Sequence, residues 1–259
     1  FTPRQREILE SLGFELQGHE VTVPTWRRDA EGQADLVEEV ARIIGYDQVP
    51  STPLDRTPGV ARPTATRSQL MERQVRRTAA ARGLDEAVTW SFISEDEAAV
   101  FGGGEWKLAN PISEDMKVMR PSLLPGLISA ARRNLDRGAC SVRLFEIGRR
   151  YLGDREHPTL GLLLTGERQS RDWQSGKARA FDAFDAKTEV LALLDAAGVP
   201  TQNLQVFPDA GPTWHPGRSA RLGLGPKNIV AAFGELHPSL AKSLDAPSGS
   251  VGAEIYFDM

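Results

Sequence analysis

The chain has 259 residues, 31 basic and 35 acidic side chains and a net charge of −4. So mild a balance excludes the strongly basic composition of a dedicated nucleic-acid binder, and 40% hydrophobic residues exclude disorder. A single cysteine, Cys140, excludes an internal disulfide and fits a reducing, cytoplasmic compartment. No apolar run approaches the ~18 residues of a membrane span, and no secretory signal opens the chain. The start at Phe1, in helix-forming sequence, reads as an excised fragment of a longer protein.

Residues 1–50 read as one small domain. Pro3 suits the first turn of a helix, Ile8, Leu9 and Leu12 form its apolar stripe, and Gly13 ends it. Val21 and Val23 alternate as a strand. A second helix is expected from Gln33 to Ile44, with Leu36, Val37, Val40, Ile43 and Ile44 buried and Gly45 closing it. Helix, strand and helix in so small a unit suggest part of a winged-helix-like fold. Around the start of the second helix stand four carboxylates, Asp29, Asp35, Glu38 and Glu39. At ~100° per residue, Asp35 and Glu39 share a face and Glu38 lies beside them. Three agents can offset their repulsion: the helix N-terminus, the nearby Arg27, Arg28 and Arg42, or a hard cation such as Mg2+, which takes oxygen ligands. The plainer reading is that Asp29 or Asp35 is an ordinary helix cap.

Residues 51–66, with Pro53, Pro58 and Pro63, read as a linker. From residue 67 to 259 the pattern is that of a larger core. A helix to about Ala81 carries Arg67, Arg73, Arg76, Arg77 and Arg82; its arginine face reads as solvated, with phosphate contact as the alternative. Val88, Trp90 and Phe92 alternate as a strand. Pro121 to Asp136 reads as an amphipathic helix with Leu123, Leu124, Leu127, Ile128, Ala131 and Leu135 on one side. Strands are expected at residues 142–151, 160–165, 218–224, 229–236 and 251–257, and helices at about 183–197 and 238–244. The polar stretch from Gly166 to Ala180 reads as a surface loop, and Cys140 as a small buried hydrophobe. Strands joined by short turns imply a largely antiparallel sheet flanked by helices, an α+β fold.

Four ordered runs carry a resemblance: VPTWRRDAEGQADLVEEVARIIGYDQVP, NPISEDMKVMRPSLLPGL, SVRLFEIGRRY and AAFGELHPSLAKSLD. Together they are similar to the beta chain of bacterial phenylalanine–tRNA ligases. The resemblance implies the C-terminal part of a winged-helix-like small domain followed by a class II aminoacyl-tRNA synthetase-like core. It implies a structural Mg2+ carried by Asp29, Asp35, Glu38 and Glu39, and a whole enzyme that uses ATP on its alpha subunit to attach phenylalanine to its tRNA in an alpha2-beta2 heterotetramer. It places the helix from Pro121 to Asp136 against the alpha subunit. Editing and tRNA-binding domains are expected before Phe1 and an anticodon-binding domain after Met259.

The residues of this core lack their own ATP chemistry. Catalytic chains of such folds carry an Arg and a Glu separated by one residue on a strand; here the run is Arg143-Leu144-Phe145-Glu146, one residue longer. In a strand of period two, Arg143 and Glu146 point to opposite faces. Gly217-Arg218 and Gly223 to Gly225 read as turn residues. The four histidines lack zinc spacing, and no catalytic or cofactor-binding residue is assigned. Two other classes predict different residues: a stand-alone winged-helix DNA-binding module needs a basic recognition helix, and a self-sufficient ligase needs intact ATP motifs.

Overall fold

The computed structural model describes residues 1–55 and 63–258. These fall into two units, Phe1–Arg62 and Pro63–Met259. Part of the linker expected at 51–66, including Pro58, lies outside the described residues.

The first unit begins with α1 (Pro3–Ser11), whose start is fixed by Thr2: its hydroxyl accepts from the Gln5 N–H while the Gln5 side chain accepts from the Thr2 N–H. A short hairpin follows, β1 (Glu15–Gln17) with β2 (Glu20–Thr22), and then α2 (Gln33–Ile44). Leu9, Phe14 and Ala30 form the buried centre. The expected apolar face of α2 is only half right. Leu36 and Val40 pack on this centre, but Val37, Ile43 and Ile44 are exposed. The buried residue of α2 is Glu39, because the side facing the chain just before the helix meets an arginine rather than a core.

The second unit is a sheet between two helical layers. Its first helix, α3 (Arg67–Ala81), starts on a capping box from Thr66 and Gln69. Short pieces follow: β3 (Asp85–Glu86), β4 (Phe92–Ile93), α4 (Glu95–Ala99) and β5 (Val118–Met119). Then come α5 (Leu124–Asp136), β6 (Ser141–Leu152), β7 (Arg155–Gln169), β8 (Arg179–Ala180) and α6 (Ala183–Ala196). The unit closes with β9 (Gln205–Phe207), β10 (Trp214–Gly225), β11 (Asn228–Leu236), α7 (Pro238–Ser243) and β12 (Val251–Tyr256). The strands run in the order β3-β6-β7-β12-β11-β10-β9, with β8 paired to β7. All pairs are antiparallel except β3 with β6.

Alternation along the strands divides the core. Phe145, Leu160, Leu162 and Leu164 face α3 and α6, where Val75, Ala79, Val190 and Leu193 meet them. Val142, Leu144 and Leu163 face α5, where Leu123, Leu124, Leu127 and Ile128 meet them. This corrects the placement of the α5 stripe against a partner: Leu127 is 0% exposed and packs on the chain's own sheet. A stripe of helical period signals burial and not what buries it. The helix also starts three residues later than expected, at Leu124.

Two smaller expectations change. Val88 and Trp90 alternate, but outside any strand, and both point outward. Cys140 is exposed, at the turn into β6.

Candidate functional site

Arg27 organises the acidic cluster. Its Nε donates to Asp29 Oδ1 at 2.9 Å, and its Nη2 donates to Asp29 Oδ2 at 2.7 Å and to Glu39 Oε1 at 2.9 Å. Arg42, one turn along α2, donates to Glu39 Oε2 at 2.6 Å. Behind Arg27 lies the Phe14 ring, 5.8 Å from the guanidinium carbon, so the cation is held on both sides. Hydrogen bonding from Arg27 holds the Asp29 carboxyl at about 2. Arg27 and then Arg42 hold Glu39 at about 2, overcoming its burial. Asp35 does something else: its Oδ2 accepts from the backbone N–H groups of Glu31 and Gly32, both at 2.8 Å, and so caps α2. Glu38 is exposed.

Of the agents that could offset four carboxylates, the helix N-terminus therefore takes Asp35, while Arg27 and Arg42 take Asp29 and Glu39. Among the described residues, no group of three or more His, Cys, Asp or Glu could hold a metal ion. A divalent cation needs several converging oxygens, and in this arrangement the oxygens of Asp29 and Glu39 are turned to guanidinium groups. The donor set as placed does not fit a Mg2+ ion.

A second set of charged residues lies on β6, on the two faces of the sheet. Arg143 lies on the face opposite α5, its guanidinium carbon 5.3 Å from the Phe181 ring centroid. Glu146 is under α5, 3% exposed, and pairs with Arg120 at 2.7 Å. The two residues cannot jointly hold one nucleotide. Gly217 and Arg218, expected in a turn, lie instead within β10, where Arg218 pairs with Glu235 at 3.2 Å.

The α5 face is filled by the chain itself. Gly148, Gly161 and Gly252 let it close down. A Cβ at Gly161 would lie 2.8 Å from Leu123 Cβ, and one at Gly148 would lie 2.4 Å from Arg120 Nη2. Over this floor Arg120, 4% exposed, donates to the Arg149 carbonyl, the Thr89 hydroxyl and Glu146. Glu254 accepts from the Ser122 hydroxyl and the Leu123 N–H. Sequence reasoning missed Arg120, Ser122 and Glu254. Their partners are 26 to 132 residues away, so no local spacing marks them.

On α3 the arginines divide. Arg76 pairs with Glu86 and Arg82 with Glu189, while Arg67, Arg73 and Arg77 are exposed.

An eight-stranded, mainly antiparallel sheet with one parallel strand and helices on both faces matches solved synthetases. Two structures of pyrrolysyl-tRNA synthetase from Desulfitobacterium hafniense superpose with TM-scores of 0.53 and 0.54. They share 16% and 17% identity and cover 99% of this chain and 84% and 87% of theirs. The fold is thus that of the class II aminoacyl-tRNA synthetases. Residues 51–257 match the phenylalanyl-tRNA synthetase beta chain CLM domain, and residues 2–46 match the tRNA synthetase B5 domain. The chain belongs to the phenylalanyl-tRNA synthetase beta chain family. The phenylalanine–tRNA ligase beta subunit of Zymomonas mobilis is 62% identical over 98% of this chain and 32% of its own length; that of Rhodopseudomonas palustris is 46% identical over 98% and 33%. The chain spans about a third of the length of these curated relatives.

Proposed function

We propose that this chain is a non-catalytic part of a phenylalanine–tRNA ligase, supporting the ATP-dependent attachment of phenylalanine to its tRNA by packing against an alpha subunit that carries the chemistry. The observation that supports this reading most is the filled α5 face. Leu123, Leu127 and Arg120 stand where a substrate cleft over the sheet would need open space. In the same reading the assembly is an alpha2-beta2 heterotetramer in the cytoplasm, ATP is held by the alpha subunit, and tRNA-Phe is met by the holoenzyme. Residues 1–50 are the small domain, 51–66 the linker and 67–259 the core.

The surface proposed for the alpha subunit is the segment after β3. Thr89 is tied inward to Glu146 through its hydroxyl at 2.7 Å and its N–H at 3.3 Å. Its neighbours are thereby turned out: Val88 is 90% and Trp90 68% exposed. Tryptophans in such positions anchor interfaces. Trp90→Ala should weaken co-assembly with the alpha subunit roughly 30-fold, as loss of an interface hot spot does, in a pull-down titration. Undiminished assembly of Trp90→Ala and Val88→Asp would reject this surface. The chain alone should show no phenylalanine-dependent ATP–pyrophosphate exchange; exchange above background would overturn the non-catalytic reading.

Magnesium at Asp29, Asp35, Glu38 and Glu39 is a separate proposal that competes with the arginines, because an ion there would have to displace Arg27 and Arg42. Titrating Mg2+ against NaCl of matched ionic strength decides between them. A rise in melting temperature that Glu39→Gln erases would place the ion; coincident curves would leave the arginines as the counter-charges.

A further inference from the structure

Of the stretch from Gly166 to Ala180, expected as a surface loop, the two ends are strand, in β7 and β8, and the residues between them are the tip of a hairpin with an ordered turn. Asp172 builds it. One carboxylate oxygen accepts from the N–H groups of Gln174 and Ser175 at 2.8 and 2.6 Å, and the other accepts from the Ser175 hydroxyl at 2.7 Å. The Gly176 N–H donates to the Asp172 carbonyl at 3.0 Å, and Gly176 takes a φ of +79°, which favours glycine. Its base is bolted to α6: Arg168 and Arg179 pair with Asp185 at 2.6 and 2.8 Å, and Arg179 also with Asp182 at 2.9 Å.

This turn presents Trp173 to solvent at 92% exposure. Its sequence neighbours are polar and cationic. The Asp172 carboxylate is turned back on the loop's own backbone. Among the described residues, Arg171 and Lys177 have no ion-pair partner. A second exposed aromatic, Phe184, follows the base of the hairpin in the first turn of α6. An ordered turn holding an indole in water, with free cations on either side, lacks the apolar surround of a protein anchor. It has the two parts of a single-strand contact: a flat ring on which a base can stack, and positive charge for the adjoining phosphates.

We infer that the β7–β8 tip is an RNA contact, in which Trp173 stacks on an unpaired base while Arg171 and Lys177 meet the flanking phosphates. The inference rests on the ligase reading only in the choice of RNA, and it uses a different surface from Val88 and Trp90.

The test measures binding of a labelled tRNA-Phe transcript, and of a fully paired RNA duplex, to the full-length protein assembled with its alpha subunit. Trp173→Ala should weaken the transcript about tenfold, the loss of one stacked base, and leave the duplex unchanged. Trp173→Phe, which keeps a ring, should retain most of the affinity. Arg171→Gln with Lys177→Gln should lower the slope of log K against log salt by roughly 1 to 2. Unchanged binding by Trp173→Ala, an equal loss for the duplex, or a Phe variant as weak as Ala would overturn the inference. So would a Trp173→Ala variant that loses the alpha subunit and not RNA, which marks a protein contact. The ligase reading is judged separately by the exchange and co-assembly assays.

Discussion

Arg120 makes four contacts at once, and its worth depends on having Glu146 as its partner. The guanidinium reaches the Arg149 carbonyl at 3.1 Å, the Thr89 hydroxyl at 2.9 Å and Glu146 at 2.7 Å, and it also covers Gly148. Glu146→Gln would leave a buried cation without a counter-charge, at a cost of about 3 kcal/mol. Arg120→Met combined with Glu146→Leu removes both charges and should cost less than either single change. Chemical denaturation of the four members of the cycle checks this order. Glu39 ties the stability of the small unit to pH. Its folded value of about 2 lies below the ordinary 4.5, so its contribution is complete above pH 4.5 and is lost as pH falls toward 2. Glu39→Gln should flatten that part of the acid-unfolding curve. Legibility at this scale follows sequence distance. The Asp35 cap spans three residues and is readable as a cap. Arg27 and Glu39, 12 apart, are readable only as candidates. Arg120 and Glu146 are not readable, because their meeting is a product of the sheet.

At the scale of elements, period shows through and partners do not. The stripe of α5 marks a buried helix, yet the same stripe would serve an interface or a core. The sheet decides it by offering glycine where the helix comes down. Gly161→Ala would put a methyl group 2.8 Å from Leu123 Cβ and 2.9 Å from Leu127 Cδ1. That overpacking should destabilise the core unit by about 1–3 kcal/mol, seen as a lower melting temperature. The stripe of α2 misleads in the other direction. Val37, at 67% exposed, and Ile44, at 46%, read as core because their spacing is helical. They line an open groove that runs past Phe1, Val21 and Val49. Val88 and Trp90 likewise alternate as a strand does, but Thr89 is held by side chains of the core rather than by a neighbouring strand's backbone.

For the molecule as a whole, the antiparallel character is legible in the tight connections, such as the Gly153-Asp154 turn between Leu152 and Arg155. The order of the strands is not, since β12 enters between β7 and β11 from the far end of the core. Val251, Ala253 and Ile255 of β12 are almost wholly buried. A chain ending at Ser250 should lose its cooperative thermal transition in circular dichroism, because β7 and β11 would each face an empty slot. Synthesis meets the same gap in time. At about 5–20 residues per second, several seconds separate the emergence of β7 from that of β12. For that interval β7 carries an unsatisfied inner edge, joined late in it by that of β11, and such edges are the most adhesive surfaces a strand can show. The strand that joins them leaves the ribosome after all the other described strands of the sheet, and slowing translation over the preceding 80 or so residues should raise the aggregated fraction.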